Sequence, residues 1–194
     1  MMPHRSAVIF DFDGTLTEPY LDFDVIRAEI GIQTGPILEA MEKMDEAPRR
    51  RAEQIIRRYE WEAARNATLQ EGAVEVIAAC RAAGMPVAIL TRNARETLDL
   101  VLARYGFVVD AVRTREDAPI KPSPEPVLSL CEELSTEPRR SWVVGDYLFD
   151  IMSGQAAGAH TVLMIGNGSR PAFAEQADHV IRRLWELLPI LGIS

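Results

Sequence analysis

Asp11 and Asp13 bracket a single phenylalanine, Phe12, and are followed at once by Gly14 and Thr15. Three further polar clusters stand at the ends of apolar runs or in the loops beyond them: Thr91, Lys121 and the pair Asp146/Asp150. If a fold gathers these positions, four aspartates meet without a counter-cation, an arrangement that mutual repulsion strongly disfavours. A hard divalent cation resolves the conflict, and an all-oxygen ligand set suits Mg²⁺. The Lys121 ammonium and the Thr91 hydroxyl then face an anion. A metal, a lysine, a hydroxyl and free backbone N–H groups together describe a phosphate site. In such a site Asp11 can attack phosphorus and form an aspartyl-phosphate. Asp13 can protonate the leaving oxygen and later take a proton from water. Gly14 lets the backbone bend tightly directly after this pair.

The elements that must position these groups are legible as short apolar runs ending in polar residues. Ala7–Phe10 ends at Asp11, Val87–Leu90 at Thr91, Trp142–Val144 at Gly145-Asp146, and Thr161–Ile165 at Gly166. Continuous apolar runs of this length predict buried parallel strands, and ligands bind at the carboxyl ends of such strands. Val108-Val109 and Val180-Ile181 predict shorter outer strands. Helices are predicted over Ala73–Ala83, closed by Gly84, and over Ala94–Tyr105, opened by Asn93 with Glu96 as a capping box and closed by Gly106. Further helices are predicted over Pro124–Leu134, Ile151–Ala157 and Leu184–Leu191. Strand and helix alternate through residues 73–194, which implies a mostly parallel sheet covered on both faces. Residues 17–66 break the rhythm with three helical patterns, Asp22–Ile30, Pro36–Met44 and Pro48–Arg65. The domain reading is therefore an α/β core of residues 1–16 and 67–194, with a helical insertion at 17–66.

Composition narrows the function classes. The chain has 194 residues, 47% hydrophobic and 26% charged, which excludes a disordered chain or a disulfide scaffold. Its net charge of −8 argues against nucleic acid or an anionic membrane as the main partner. The two cysteines, Cys80 and Cys131, form no metal-binding spacing and read as reduced buried thiols of a cytoplasmic protein. Met1–Arg5 runs straight into the first strand without the features of a signal peptide.

Asp-Phe-Asp-Gly-Thr-Leu-Thr from Asp11, then Thr91, Lys121-Pro-Ser-Pro and Gly145-Asp-Tyr-Leu-Phe-Asp150 resemble, in order and spacing, the haloacid dehalogenase-like (HAD) superfamily. The resemblance spans nearly the whole chain. It implies a Rossmann-like α/β sheet with a small inserted all-helical cap, like that of the phosphoglycolate-phosphatase-like branch. It implies Asp11 as nucleophile and Mg²⁺ ligand, and Asp13 as acid/base that also offers its backbone carbonyl to the metal. Thr91, Lys121, Phe12 and Arg92 hold phosphate, Asp146 coordinates Mg²⁺, and Asp150 supports the metal waters or Lys121. Asn93 and Tyr20 are candidate substrate contacts.

Asp13 itself separates reactions within that family. Dehalogenases lack an aspartate there and P-type ATPases have threonine, so Asp13 points to a phosphatase or a phosphomutase. No histidine lies between His4 and His160, and Lys43 is the only lysine in the insertion, which favours hydrolysis. The expected partner is a small phosphorylated metabolite such as 2-phosphoglycolate, a sugar phosphate or a nucleotide, and the expected assembly is a monomer or dimer. Two alternatives remain: a sugar phosphomutase or pyrophosphatase of the same superfamily, and a catalytically silent phosphate-binding regulator. Other features read as ordinary structure. Arg51, Arg58 and Arg65 form a solvated face paired with Glu53, Glu60 and Glu62, as charge runs commonly do. Tyr59, Trp61, Met41 and Met44 read as packing of the insertion, and His4, His160 and His179 carry no ligand spacing.

Overall fold

The computed structural model describes residues 5–193; Met1–His4, the expected lead-in to the first strand, and Ser194 lie outside the described residues. Six strands form one parallel sheet: β1 (Arg5–Phe10), β2 (Val87–Leu90), β3 (Ala111–Arg113), β4 (Thr136–Gly145), β5 (His160–Met164) and β6 (His179–Ile181). Their order is β3-β2-β1-β4-β5-β6. β1 is central, and the chain continues to β2 on one side and β4 on the other. That reversal opens a crevice at the strand ends, the usual ligand position in open α/β sheets.

Both faces of the sheet are covered, so the strands read as unbroken apolar runs rather than alternating ones. Val8, Phe10, Ile89 and Val144 pack against α4 (Ala73–Ala82), α5 (Arg95–Tyr105) and the C-terminal segment with α8 (Leu187–Ile190). Ile9, Leu90 and Val143 point the other way, toward Val127, Leu130 and Cys131 of α6 (Glu125–Glu133). α7 (Leu148–Ala157) lies against β4 and β5. It comes close because Gly154 leaves room: a Cβ there would stand 2.8 Å from Thr161 and 3.1 Å from Val143.

Four local expectations change. The outer strand is Ala111–Arg113, not Val108-Val109. Asp110 exchanges two bonds with Val87, its N–H to the carbonyl and its carboxylate from the Val87 N–H, so the ladder with β2 starts one residue later. Leu184–Leu191 divides into a 3₁₀ turn, Leu184–Glu186, and α8. α7 begins at Leu148, which puts Asp150 in its first turn. Asn93 is not a helix cap: Ala94 occupies that position in α5, and no capping box forms.

Between β1 and α4 the chain forms α1 (Phe23–Ile30), α2 (Ile37–Glu42) and α3 (Glu46–Asn66). Asp22 caps α1 by accepting from the Asp24 and Val25 N–H groups. Ile26, Ile37, Met41, Ala52 and Ile56 form a separate small core among these helices. The outgoing and returning chains pair at its base, with Glu18 N–H donating to Thr68 (2.9 Å) and Gln70 N–H to Leu16 (2.9 Å). Ala64, near the end of α3, joins the core of the sheet. No helix among the described residues is long and apolar enough to cross a membrane.

Gly154→Val overpacks the α7–sheet contact and is expected to lower stability by about 1–3 kcal/mol. Urea denaturation checks this; an unchanged midpoint contradicts the close approach.

Candidate active site

Three adjacent strands each deliver one polar group to the crevice. Asp11 follows β1, with its N–H bonded to the Val144 carbonyl (2.8 Å). Thr91 follows β2, with its N–H on the Arg113 carbonyl (2.9 Å). Asp146 follows β4. Lys121 arrives from the loop between β3 and α6, and Asp150 from the first turn of α7. All five, with Asp13, Arg92 and Asn93, line one cleft of about 570 Å³ between the sheet edge and the inserted helices.

Lys121 is the bridge at its floor. Its buried Nζ donates to Asp11 Oδ1 (2.6 Å) and to Asp150 Oδ1 (2.5 Å). Burial alone would lower the proton affinity of Lys121, but the Asp11 and Asp150 carboxylates outweigh it and keep the ammonium charged. Asp150 spends its second oxygen on the Tyr147 N–H (3.0 Å). One lysine does not neutralise the cluster. Burial pushes the Asp11 carboxyl up, and Asp13 adds to the rise. Asp146 is raised well above the ordinary carboxylate range, first by burial and then by the charges of Asp11 and Asp150. Burial also holds Asp13 and Asp150 at about 6.

Oxygen atoms of Asp11, Asp146 and Asp150 lie within 4.8 Å of one another. Half-buried to buried, oxygen-only and more negative than Lys121 alone offsets, this donor set fits a hard divalent cation. The backbone makes room for it. Gly14 has φ +83° and a Cβ there would come 2.2 Å from Asp146 Oδ2; a Cβ at Gly145 would come 2.1 Å from Asp150 Cγ. Both glycines let carboxylates sit directly on main chain.

Other predicted residues have specific places. The Phe12 N–H faces the Asp11 carboxylate, and its ring is buried in the core. The Thr91 hydroxyl accepts the Asn93 N–H (3.0 Å). Asn93 Nδ2 donates to Asp13 Oδ2 (3.0 Å), while its Oδ1 accepts from the Ala94 N–H and the Thr97 hydroxyl. Asn93 thus orients the Asp13 carboxyl instead of capping a helix. Arg92 is engaged by the insertion: its two terminal nitrogens donate to both oxygens of Glu39 on α2 (2.8 and 2.7 Å). The guanidinium also donates to the Lys121 carbonyl and lies 4.7 Å from the Phe149 ring centre. Tyr20 is not among the residues lining the cleft; its hydroxyl donates to Glu62 on the exposed side (3.2 Å).

The basic face of α3 is dispersed into ion pairs. Arg50 meets Glu46, Arg57 meets Glu96 of α5, and Arg58 meets Glu29. Trp61 Nε1 also donates to Glu96 (3.1 Å), so this tryptophan ties α3 to α5 by a hydrogen bond on the exposed side. Glu60 departs from the solvated reading: it is 3% exposed, lines the cleft, and accepts from Arg115 of the β3–α6 loop. The sequence motifs point neither to Glu60 as a cleft residue nor to Glu39 and Arg115 as the partners of cleft residues. Glu60 had a signal, since it continues the apolar stripe of Ala52, Ile56 and Ala63 where a charge is out of place. Arg115 and Glu39 had none, because their partners are distant in the chain.

The chain matches the family model described as haloacid dehalogenase-like hydrolase over residues 6–158. It therefore belongs to the haloacid dehalogenase-like hydrolase family, and it is an enzyme of the hydrolase class. No particular relative is close enough to lend more than likeness. A haloacid dehalogenase-like hydrolase domain-containing protein of Arabidopsis thaliana is 30% identical over 175 residues, covering 84% of this chain and 71% of that one. Pyrophosphatase PpaX of Bacillus cereus is 29% identical over 211 residues, covering 96% of each. A solved hydrolase from Pseudomonas syringae has TM-score 0.82 at 18% identity, over 97% of this chain and 98% of that one, and shares the fold.

Burial, only partly offset by Arg115, holds the Glu60 carboxyl at about 7 against an ordinary 4.5. A raised acid of this kind contributes stability below about pH 4.5, and that contribution is lost as pH rises through about 7. Glu60→Gln carries no such dependence. Relative to the parent it is expected to gain on the order of 1–3 kcal/mol between about pH 5 and pH 8. Urea denaturation at the two pH values checks it; a constant difference contradicts the buried carboxyl.

Proposed function

We propose that this chain hydrolyses small phosphate monoesters in a Mg²⁺-dependent reaction through an aspartyl-phosphate on Asp11. The observation that carries the reading is the pair Asp11 and Asp13 at the end of the central strand, beside one buried lysine and more carboxylates than it can offset. Asp11, Asp146 and the Asp13 backbone carbonyl would hold the Mg²⁺, with Asp150 behind them on Lys121. When bound, the metal supplies charge neutralisation for the phosphoryl oxygens.

The chain's own groups account for the remaining work. An Asp11 carboxylate oxygen attacks phosphorus as the ester P–O bond breaks, and the carboxyl of Asp13 gives its proton to the departing alkoxide. Asp13, now a carboxylate, takes a proton from water. That water's oxygen attacks the phosphorus and frees Asp11 and inorganic phosphate. Asn93 keeps the Asp13 side chain turned toward this position. Lys121 and Thr91 hold the phosphoryl oxygens, with the Phe12 N–H beside them. Arg92 approaches phosphate only by exchanging its Glu39 partner for it. Tyr20 has no part in this scheme.

Residues 17–66 act as a cap over the site. Arg92–Glu39 and Arg115–Glu60 join the two parts beside the cleft, and Arg57–Glu96 joins them on the exposed surface. Closure of such a cap excludes water and favours small substrates. The buried free thiols Cys80 and Cys131 fit a reducing, cytoplasmic setting. A second reading, pyrophosphate hydrolysis at the same centre, is favoured by the likeness to pyrophosphatase PpaX along 96% of both chains.

Phosphate release is expected from one or more monoesters in a panel of phosphoglycolate, sugar phosphates, nucleotides and an aryl phosphate, and to vanish with EDTA. Asp11→Asn is expected to lose at least about 10³-fold in kcat while keeping the parent's circular dichroism. Substantial turnover by that variant contradicts the covalent route. Preference for pyrophosphate over every monoester selects the second reading.

A further inference from the structure

The cleft has two polar ends. At the floor sit the groups that handle the phosphoryl unit. On the cap side sits Glu60, carried by α3 in the middle of an apolar stripe. Its Oε1 is held by Arg115, whereas its Oε2 is buried with no hydrogen-bond partner. Among the described residues only one other buried side-chain oxygen lacks a partner, the hydroxyl of Thr15, which does not line the cleft. A carboxylate oxygen buried without a donor is costly, and folded proteins rarely keep one without a use.

The surroundings of Glu60 say what that use is. The insertion also lines the cleft with the apolar Ile26, Ile37 and Ile56 and with the polar Arg27, Gln33 and Thr34, none of which bonds to Glu60 Oε2. Asp13 and Glu60 line the same cleft, Asp13 from the end of the central strand and Glu60 from α3. Under the monoester reading, Asp13 marks the ester oxygen of the leaving group. The part of the substrate beyond that oxygen then meets Glu60. Arg115 holds Oε1, which leaves Oε2 as the free acceptor.

We propose that Glu60 is a substrate-recognition residue that accepts a hydrogen bond from the leaving group. The substrates are therefore phosphate esters bearing a donor on their carbon skeleton: hydroxylated esters of the polyol or sugar type, or their amino counterparts. A carboxylated leaving group such as that of 2-phosphoglycolate sets a second negative charge against Glu60 and is disfavoured. This assignment rests on the monoester-phosphatase reading and narrows it to a substrate class.

The test compares kcat/KM within matched pairs. Glycerol 1-phosphate, erythritol 4-phosphate and ribitol 5-phosphate are each set against the n-alkyl phosphate of the same chain length. Aminoalkyl phosphates form a second arm, and 2-phosphoglycolate and 3-phosphoglycerate a third. The parent enzyme is expected to favour at least one donor-bearing ester over its alkyl partner by about 10–100-fold, since an unmet buried acceptor penalises the analogue. The two donor arms decide between hydroxyl and ammonium. Glu60→Met removes the acceptor and is expected to bring that ratio within about 3-fold of unity. Glu60→Gln, which supplies a donor, is expected to narrow the gap between 3-phosphoglycerate and glycerol 1-phosphate. Equal rates on alkyl and hydroxylated esters in the parent overturn the assignment without needing any variant to fold. So does a uniform loss on every substrate in both variants, the mark of a purely structural Glu60–Arg115 pair. If the parent releases phosphate from no ester, aryl phosphate included, the monoester reading fails first and the assignment falls with it.

Discussion

One lysine stands among too many carboxylates. Lys121 reaches Asp11 and Asp150 at once, yet Asp13 and Asp146 line the same cleft and pair with no cation among the described residues. Burial raises every one of these acids above its ordinary range. A protein that needed only a stable core would have no reason to retain this cluster, because apolar residues of similar volume would pack there at lower cost. The imbalance is what a bound divalent cation would relieve. Each of the other features of the site can be understood as holding that imbalance in place.

The fold does this by crowding backbone and carboxylate together. Parallel strands β2, β1 and β4 end side by side, so the residues just beyond them converge without long loops. Gly14 and Gly145 let Asp146 and Asp150 press against main chain where any Cβ would collide. Gly154 seats α7 close to the sheet and so fixes the first turn that carries Asp150. Above the site, charge pairs join the inserted helices to the sheet-bearing part of the chain, beside the apolar contact that Ala64 makes. Glu39 holds Arg92 and Arg115 holds Glu60, and one member of each pair, Arg92 and Glu60, lines the cleft. Such contacts can exchange partners when an anion or a hydroxyl enters, which an apolar seam cannot do.

The sequence made the strand ends legible because strands buried on both faces appear as short apolar runs with abrupt polar ends. Asp11, Thr91 and Asp146 were visible for that reason, and Lys121 and Asp150 through their motifs. The edges were less legible. Val108-Val109 looked like a strand, but the Asp110–Val87 exchange shifts the ladder to Ala111–Arg113. Asn93 looked like a helix cap because the same side chain types serve both tasks; only the distance to Asp13 separates them. Glu60 was hidden by a general rule, that charges on a helix face water, although its position on the apolar stripe broke the pattern. Its partner Arg115 lies 55 residues away in the chain, beyond the reach of any local reading.

The most direct test of the central claim is the melting temperature of the protein as Mg²⁺ is titrated, in the absence of substrate. A cation that relieves the buried carboxylates binds the folded chain and not the unfolded one, so Tm must rise and saturate as a single site fills. That rise is expected in the parent, with reversal by EDTA and loss in Asp146→Asn. A Tm that does not respond to Mg²⁺, or that responds equally in Asp146→Asn, contradicts the claim that the cluster is built around a metal ion.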